Sequence, residues 1–297
     1  MSRGKGFSLV ELAVSLAIIA LLLAGAFIPL SAQIDVRNGA DTQRSMESIR
    51  DAMVGFAQAN GRLPCPANGA TPAGTVDTTT WPTSVAAGAE QWNAGANVCY
   101  TVFGVVPWTT LGVAETDAWG RRFTYRVSPA FADGFAALTW STTTATSPAN
   151  QSPACAPTPT PTSPTSFALC TLGDIAVFTR GGATTTAVPL GTALPAVFIS
   201  HGKNGFGAWQ NTGIRLSPVP SSNDEAANLN GNTTAIPTGG YTNWAFYSRT
   251  RTPAAAGCVD PAPGTTNAAP DCEFDDIVVM ISASALITRM VAAGRLP

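Results

Sequence analysis

Apolar residues run without a single charge from Leu12 to Ile34, 23 positions in all. About 20 helical residues are enough to cross the hydrocarbon core of a bilayer, so the pattern predicts a transmembrane or filament-core helix over 7–34. From 35 to 60 the pattern becomes amphipathic. Met46, Ile49, Met53 and Phe56 recur at steps of three and four, one apolar stripe of a continuing helix. On the wet face Arg37 with Asp41, Asp41 with Arg44, and Glu47 with Arg50 are spaced to pair. Asn60-Gly61 should stop the helix, with Pro64 just beyond. A helix from Phe7 to Asn60 would run about 80 Å, with bends expected at Pro29 and Gly39.

Beyond residue 60 the period shortens to that of strands. Val102–Trp108 reads as one strand, and Phe123, Tyr125 and Val127 alternate in a second after the turn Asp117-Ala118-Trp119-Gly120. Asp174–Phe178 and Ala196–Ser200 read as short buried strands, and Asp276–Ile281 as the clearest one. A short helix over Ala283–Ala293 then ends at Gly294. Residues 67–97, 141–166 and 211–243 are rich in Gly, Thr, Ser, Pro or Asn and read as loops. The fold class is therefore α+β, a long N-terminal helix packed on a mainly antiparallel sheet with disulfide-tied loops. Residues 61–297 form the globular head.

Composition narrows the setting. Charged residues make up 11% of the 297, against the usual quarter or so, which suits an exported, loop-rich surface. Net charge is −2 and there is no basic run, so no nucleic-acid footprint is indicated. Six cysteines and one histidine, with no Cys-x-x-Cys, point to disulfides formed outside the cytoplasm rather than to a metal cluster. Six cysteines allow 15 pairings. Neighbour pairing is favoured: Cys65–Cys99, Cys155–Cys170 and Cys258–Cys272 would each staple a polar loop that lacks apolar residues of its own.

The first residues decide the class. Arg3 and Lys5 precede the apolar run, and acids and bases are mixed after it, which places the N-terminus in the cytoplasm and the head across the inner membrane. The run is too long for an ordinary secretory signal and no Ala-x-Ala site follows it. Glu11 sits at the start of this run. A carboxylate in the membrane interior costs roughly 2.5–3.5 kcal/mol and is a functional candidate by default. Cleavage before Phe7 would create an α-amino group one helical turn away. In a stack of staggered identical helices, that amine can meet a neighbour's Glu11.

Gly6-Phe7-Ser8-Leu9-Val10-Glu11-Leu12, after a short basic leader and before a long apolar helix, closely resembles the type IV prepilin signature shared by pilins and type II secretion pseudopilins. The resemblance covers the leader, residues 1–6, and about the first 30 residues. It implies cleavage after Gly6 by a membrane aspartyl prepilin peptidase, N-methylation of Phe7 by the same enzyme, and a docking role for Glu11 in the growing filament. Pro29 resembles the proline of a pilin stretch that melts during assembly. The Asp117-Ala118-Trp119-Gly120 block followed by Tyr125 is similar to an element of pseudopilin globular domains. With Leu63-Pro64-Cys65-Pro66 and Pro107-Trp108-Thr109-Thr110-Leu111-Gly112, it looks like a group of large bacterial prepilin-like proteins.

Three other features bear on chemistry. His201 follows a strand in Ser200-His201-Gly202-Lys203-Asn204-Gly205, but no Gly-x-Ser-x-Gly accompanies it, so a turn histidine is expected and no catalytic residue is assigned. Asp271, Glu273, Asp275 and Asp276 cluster before the last strand. Oxygen-rich clusters hold calcium, as C-terminal loops of some pseudopilins do, but the spacing is not that of an EF-hand. Trp81, Trp92, Trp209 and Trp244 lie in polar loops and are candidate surface contacts.

Together these features predict a structural subunit, not an enzyme. It is held in the inner membrane, processed by prepilin peptidase, and assembled with other pilin or pseudopilin subunits through an inner-membrane platform. The bulky head favours a minor or tip position in a type IV pilus. A type II secretion pseudopilin, or an adhesin head on a pilin anchor, are the alternatives.

Overall fold

The structure is a computed structural model. It describes residues 8–78, 84–134, 167–169, 171–180, 187–217, 222–230, 232–235, 242–260 and 272–296, with the backbone alone at 22–32, 232–235 and 242–243. The first elements are α1 (Leu9–Asn60), β1 (Val76–Asp77), β2 (Val85–Ala86), β3 (Trp92–Asn93), β4 (Val98–Cys99) and β5 (Phe103–Val105). Then come α2 (Trp108–Leu111), β6 (Thr124–Val127), α3 (Pro129–Ala132), β7 (Ile175–Thr179), β8 (Val188–Leu194) and β9 (Ala196–Ser200). The last are α4 (Asn223–Asn230), β10 (Asn232–Ala235), β11 (Thr242–Tyr247), β12 (Ile277–Ile281) and α5 (Ala283–Ala292). The chain divides into two compact units, Met1–Asp41 and Thr42–Pro297.

In the first unit α1 begins at Leu9, and the expected pair Arg37–Asp41 forms across one turn at 3.8 Å. The helix assignment runs unbroken through Pro29 and Gly39 to Asn60. Among the described residues, no helix is long and apolar enough to cross a membrane. Residues 22–32, in the middle of the uncharged run, are the ones described by backbone alone.

The second unit is layered. Met46, Ile49, Met53 and Ala57 of α1 are fully buried. The steps are three, four and four, which follow the 3.6-residue turn more closely than a stripe through Phe56. Phe56 lies at the flank, half-buried, under the Arg62 guanidinium at 5.3 Å. Gly61 closes the helix with φ +73° and its N–H on the Ala57 carbonyl (2.8 Å), a left-handed turn that costs a glycine little. Arg295 donates from Nε to the Gln58 carbonyl (2.7 Å) and from Nη2 to that of Ala59 (2.6 Å). It thus places a cation on the last carbonyls of the helix, where the dipole favours one.

This stripe and Leu286 and Met290 of α5 share one core with Phe123, Tyr125, Val127, Ala196, Phe198 and Ile281. All of these partners but Phe123, which precedes β6, belong to a four-stranded antiparallel sheet of order β12-β9-β6-β5. Its other face, with Val197 and Ile199, packs on Ile175, Val177, Leu194 and Phe246. Those four come from a second four-stranded sheet, β10-β11-β7-β8. A third cluster on its far side takes in Ala227 of α4 and Phe274. The expected single sheet is thus two stacked sheets, and the second contains a parallel pair, β11 with β7. β5 is also shorter than the expected strand over 102–108, because Pro107 ends the pairing and Trp108 opens α2.

Candidate functional site

At the start of α1, Ser8 is the N-cap: the Leu12 N–H donates to its carbonyl (3.2 Å), closing the first helical turn. The Glu11 N–H donates to Ser8 Oγ (3.2 Å), and the Ser8 N–H donates to Glu11 Oε2 (3.0 Å). This reciprocal pair is a capping box, Ser-x-x-Glu, which satisfies two of the helix's orphan donors. The Ser15 hydroxyl donates to the Glu11 carbonyl (2.7 Å). The sequence carried this signal in residues 8–11, but Glu11 was read only for its charge. Around the carboxylate the helix is apolar on every side: Leu9, Val10, Leu12, Leu16 and Leu21 are all more than half exposed. A helix apolar all round needs lipid or other helices to cover it. Gly6 and Phe7 lie outside the described residues.

In the head, two disulfides join Cys65 to Cys99 and Cys258 to Cys272, the first and third of the neighbour pairs; Cys155 and Cys170 lie outside the described residues. The first disulfide sits beside a half-buried ion pair. Arg62 donates to both Glu90 oxygens at 2.8 Å, Glu90 also accepts the Cys65 N–H (3.1 Å), and the guanidinium lies 3.8 Å from the centre of the Trp92 ring. The second disulfide is tied to a buried network in which Arg180 clasps Asp224 through two 2.9 Å bonds, while Arg249 reaches Asp260 (3.2 Å) and the Cys272 carbonyl (2.9 Å).

The Asp117 turn is held from inside. Asp117 Oδ1 accepts the N–H groups of Trp119 and Arg121 (both 2.9 Å), and Oδ2 accepts the Ser200 hydroxyl (2.6 Å). Burial pushes this carboxyl up, against those hydrogen bonds. Arg121 reaches across to the carbonyls of Gly202 (3.1 Å) and Lys203 (2.8 Å). Gly205, at φ +61°, lies against the Arg121 guanidinium with no room for a Cβ.

His201 is buried, with Nε2 paired to Thr124 Oγ1 (2.7 Å) and Nδ1 facing Asp276 Oδ1 (3.4 Å). A hydroxyl, an imidazole and a carboxylate therefore stand in a row, a resemblance to a nucleophile triad that the sequence did not reveal. Thr124, however, lies inside β6 at 4% exposure, and a reacting carbonyl cannot reach its hydroxyl. The row joins β6, the end of β9 and the start of β12.

Of the four acids read as calcium candidates, Asp275 and Asp276 stand together. Asp271 lies outside the described residues. Asp275 and Asp276 also meet Glu225 of α4, with one carboxylate oxygen from each within 4.8 Å of the others; Glu273 is not in this group. The Glu225 Oε1 accepts the Asp275 N–H (2.8 Å) and the Asn204 amide (3.2 Å), and Asp276 Oδ2 accepts the Asn228 amide (2.8 Å). Burial, then the neighbouring Asp276 and Asp275 charges, push Glu225 up to about 8, and burial raises Asp275 as well. Ser222, the N-cap of α4, opens a second Ser-x-x-Glu with its Oγ on the Glu225 N–H (3.2 Å). Here the Glu225 side chain is turned to Asp275 and Asn204.

Of the tryptophans read as surface contacts, Trp92 and Trp244 are half-buried and pack on core clusters. Arg126, itself paired with Asp174 (2.9 Å), covers Trp244 at 3.9 Å. Trp209 is half-buried against Gly69 and Arg215. Trp81 lies outside the described residues. A groove of about 490 Å³ runs between the last turns of α1 and the end of β12 with the first turns of α5, lined by Val54, Gly55, Met280 and Leu286 with Arg50 and Arg289.

In sequence, residues 1–27 match the family described as the prokaryotic N-terminal methylation motif. The chain carries the type IV pilin and pseudopilin signature. The matched residues include Gly6, Phe7 and the Ser8–Glu11 capping box. The match ends at residue 27, so it bears on the N-terminal helix and not on the head. No curated protein and no solved structure matches the chain.

Proposed function

We propose that this chain is a filament subunit of the type IV pilin or pseudopilin kind, made as a precursor and cut after Gly6 by a prepilin peptidase that also methylates Phe7. The observation that carries this reading is the methylation motif at residues 1–27, set on a helix whose exposed apolar residues need a cover. In this reading the uncharged run holds the subunit in the inner membrane with its head on the far side. Other copies and related subunits then replace lipid around the helix in the filament. Partners are the peptidase, neighbouring pilin-like subunits and the assembly platform. The head acts as a structural or contact surface. Its size and its two ion-paired, disulfide-tied regions suit a minor or tip position, where the head faces few neighbours.

Glu11 separates this reading from a plain membrane anchor. Replacing Glu11 with Ala removes a costly charge from an apolar helix, so membrane insertion is expected to hold or improve. Incorporation into filaments is expected to fall, because a neighbour's terminal amine is left unpaired in low dielectric. The measurement is tagged subunit in sheared filaments relative to the processed membrane pool. An unchanged ratio for Glu11→Ala would remove the assembly role assigned here.

A further inference from the structure

The first sheet ends on β12, which among the described residues pairs with β9 alone. Successive side chains of a strand point to opposite faces. Ile281 accordingly shares the core with Met53 of α1 and Leu286 of α5. Met280 turns to the second sheet, where its Sδ lies 3.0 Å from the place a Cβ on Gly191 would take. Yet both residues line the groove beside α1. A groove that meets both runs along the edge of the strand, not over one face. It therefore opens onto the main-chain N–H and C=O groups that an unpaired edge offers to another strand. No proline, glycine or charge interrupts Ile277–Ile281. The facing wall is α1, where Gly55 is exposed and no atom lies within 4 Å of the place its Cβ would take. A glycine inside a helix is less stable than an alanine, and no contact within the head requires this one. It leaves the groove open to a close approach of backbone. The lining is also cationic, with Arg50 and Arg289 against the single acid Asp51. Asp51 stands 3.6 Å from Arg50, which leaves the Arg289 charge without a carboxylate among the described residues.

We propose that this groove docks an extended, acid-bearing segment of another filament subunit, which adds as a strand to the open edge of β12. This rests on the filament-subunit reading, which supplies the other subunit. In such an addition main-chain hydrogen bonds give the affinity and pockets for alternate side chains give the choice of partner. Here one side chain of the segment settles against Val54 and Gly55, and its carboxylate meets Arg289. A helix is the wrong occupant, because its own backbone groups are already bonded within it and cannot use an open edge.

The test uses the full chain in its native host, with a photo-crosslinking amino acid in place of Ala285, an exposed residue of the groove wall on α5. Cross-linked peptides are sequenced from sheared filaments. The cross-link is expected on the head of another subunit, in a segment that carries an Asp or Glu. Gly55→Leu fills the groove and is expected to lower the yield about fivefold or more, while the Tm of the purified chain holds or rises, since leucine is the better helix former. Arg289→Glu is expected to lower the yield about fivefold, and Arg289→Lys to stay within about twofold. A cross-link to the same chain, to lipid or to a neighbour's N-terminal helix overturns the inference. So does the absence of any cross-link in filaments that contain the processed subunit, or an unchanged yield for Gly55→Leu at an unchanged Tm. If Gly55→Leu lowers the Tm, the two Arg289 variants decide. If the processed subunit is absent from filaments altogether, the filament-subunit reading fails and this inference fails with it.

Discussion

Glu225, Asp275 and Asp276 give the head a pH dependence at the scale of single residues. Three carboxylates this close cannot all ionise without cost, and Glu225 titrates at about 8 in the folded chain. Its folded value lies above the unfolded one, so the folded state binds the extra proton. The stability linked to that proton is full below about pH 4.5, declines above it, and is lost as pH rises through about 8. Thermal melts in chelator are expected to show Tm falling by on the order of 5 °C across that window. Glu225→Gln, which cannot ionise, is expected to flatten the profile; an equally steep profile would remove Glu225 as its source. The sequence showed the acids at 271–276 as a cluster. It hid Glu225, 50 positions from Asp275, because only the packing of α4 beside the start of β12 brings them together.

At the scale of elements, the long helix was the most legible part of the chain. Its apolar stripe, its Asn60-Gly61 stop and the alternation of Phe123, Tyr125 and Val127 all follow from periods of 3.6 and 2. The sandwich was not legible. Thr124 and Arg126 point into the space between the sheets and are buried, yet as polar residues they read as a solvated face. Arg126 is paired there with Asp174, and the Thr124 hydroxyl is hydrogen-bonded to His201, partners that lie far off in sequence. α4 was missed because Asn, Asp and Glu dominate it; what fixes it is Asn228, whose amide donates to the Tyr247 carbonyl (2.9 Å). The register of α1 itself can be tested. Met53→Ala is expected to cost about 2–5 kcal/mol in urea unfolding of the detergent-purified chain. Phe56→Ala is expected to cost less, since Phe56 sits at the flank of the stripe. The reverse order would place the buried face one residue round.

The whole molecule joins an N-terminal segment that carries a known signature to a head for which no solved structure matches. The signature at residues 1–27 was readable because basic residues, an uncharged run and a lone carboxylate stand there in a fixed order. In the proposed function this segment is processed and built into a filament. The most direct measurement is the intact mass of the chain recovered from sheared filaments of the native host, with the N-terminal peptide sequenced by fragmentation. The expected chain begins at N-methylated Phe7. A filament or membrane pool of mature protein that retains residues 1–6, or begins at any other residue, would contradict it.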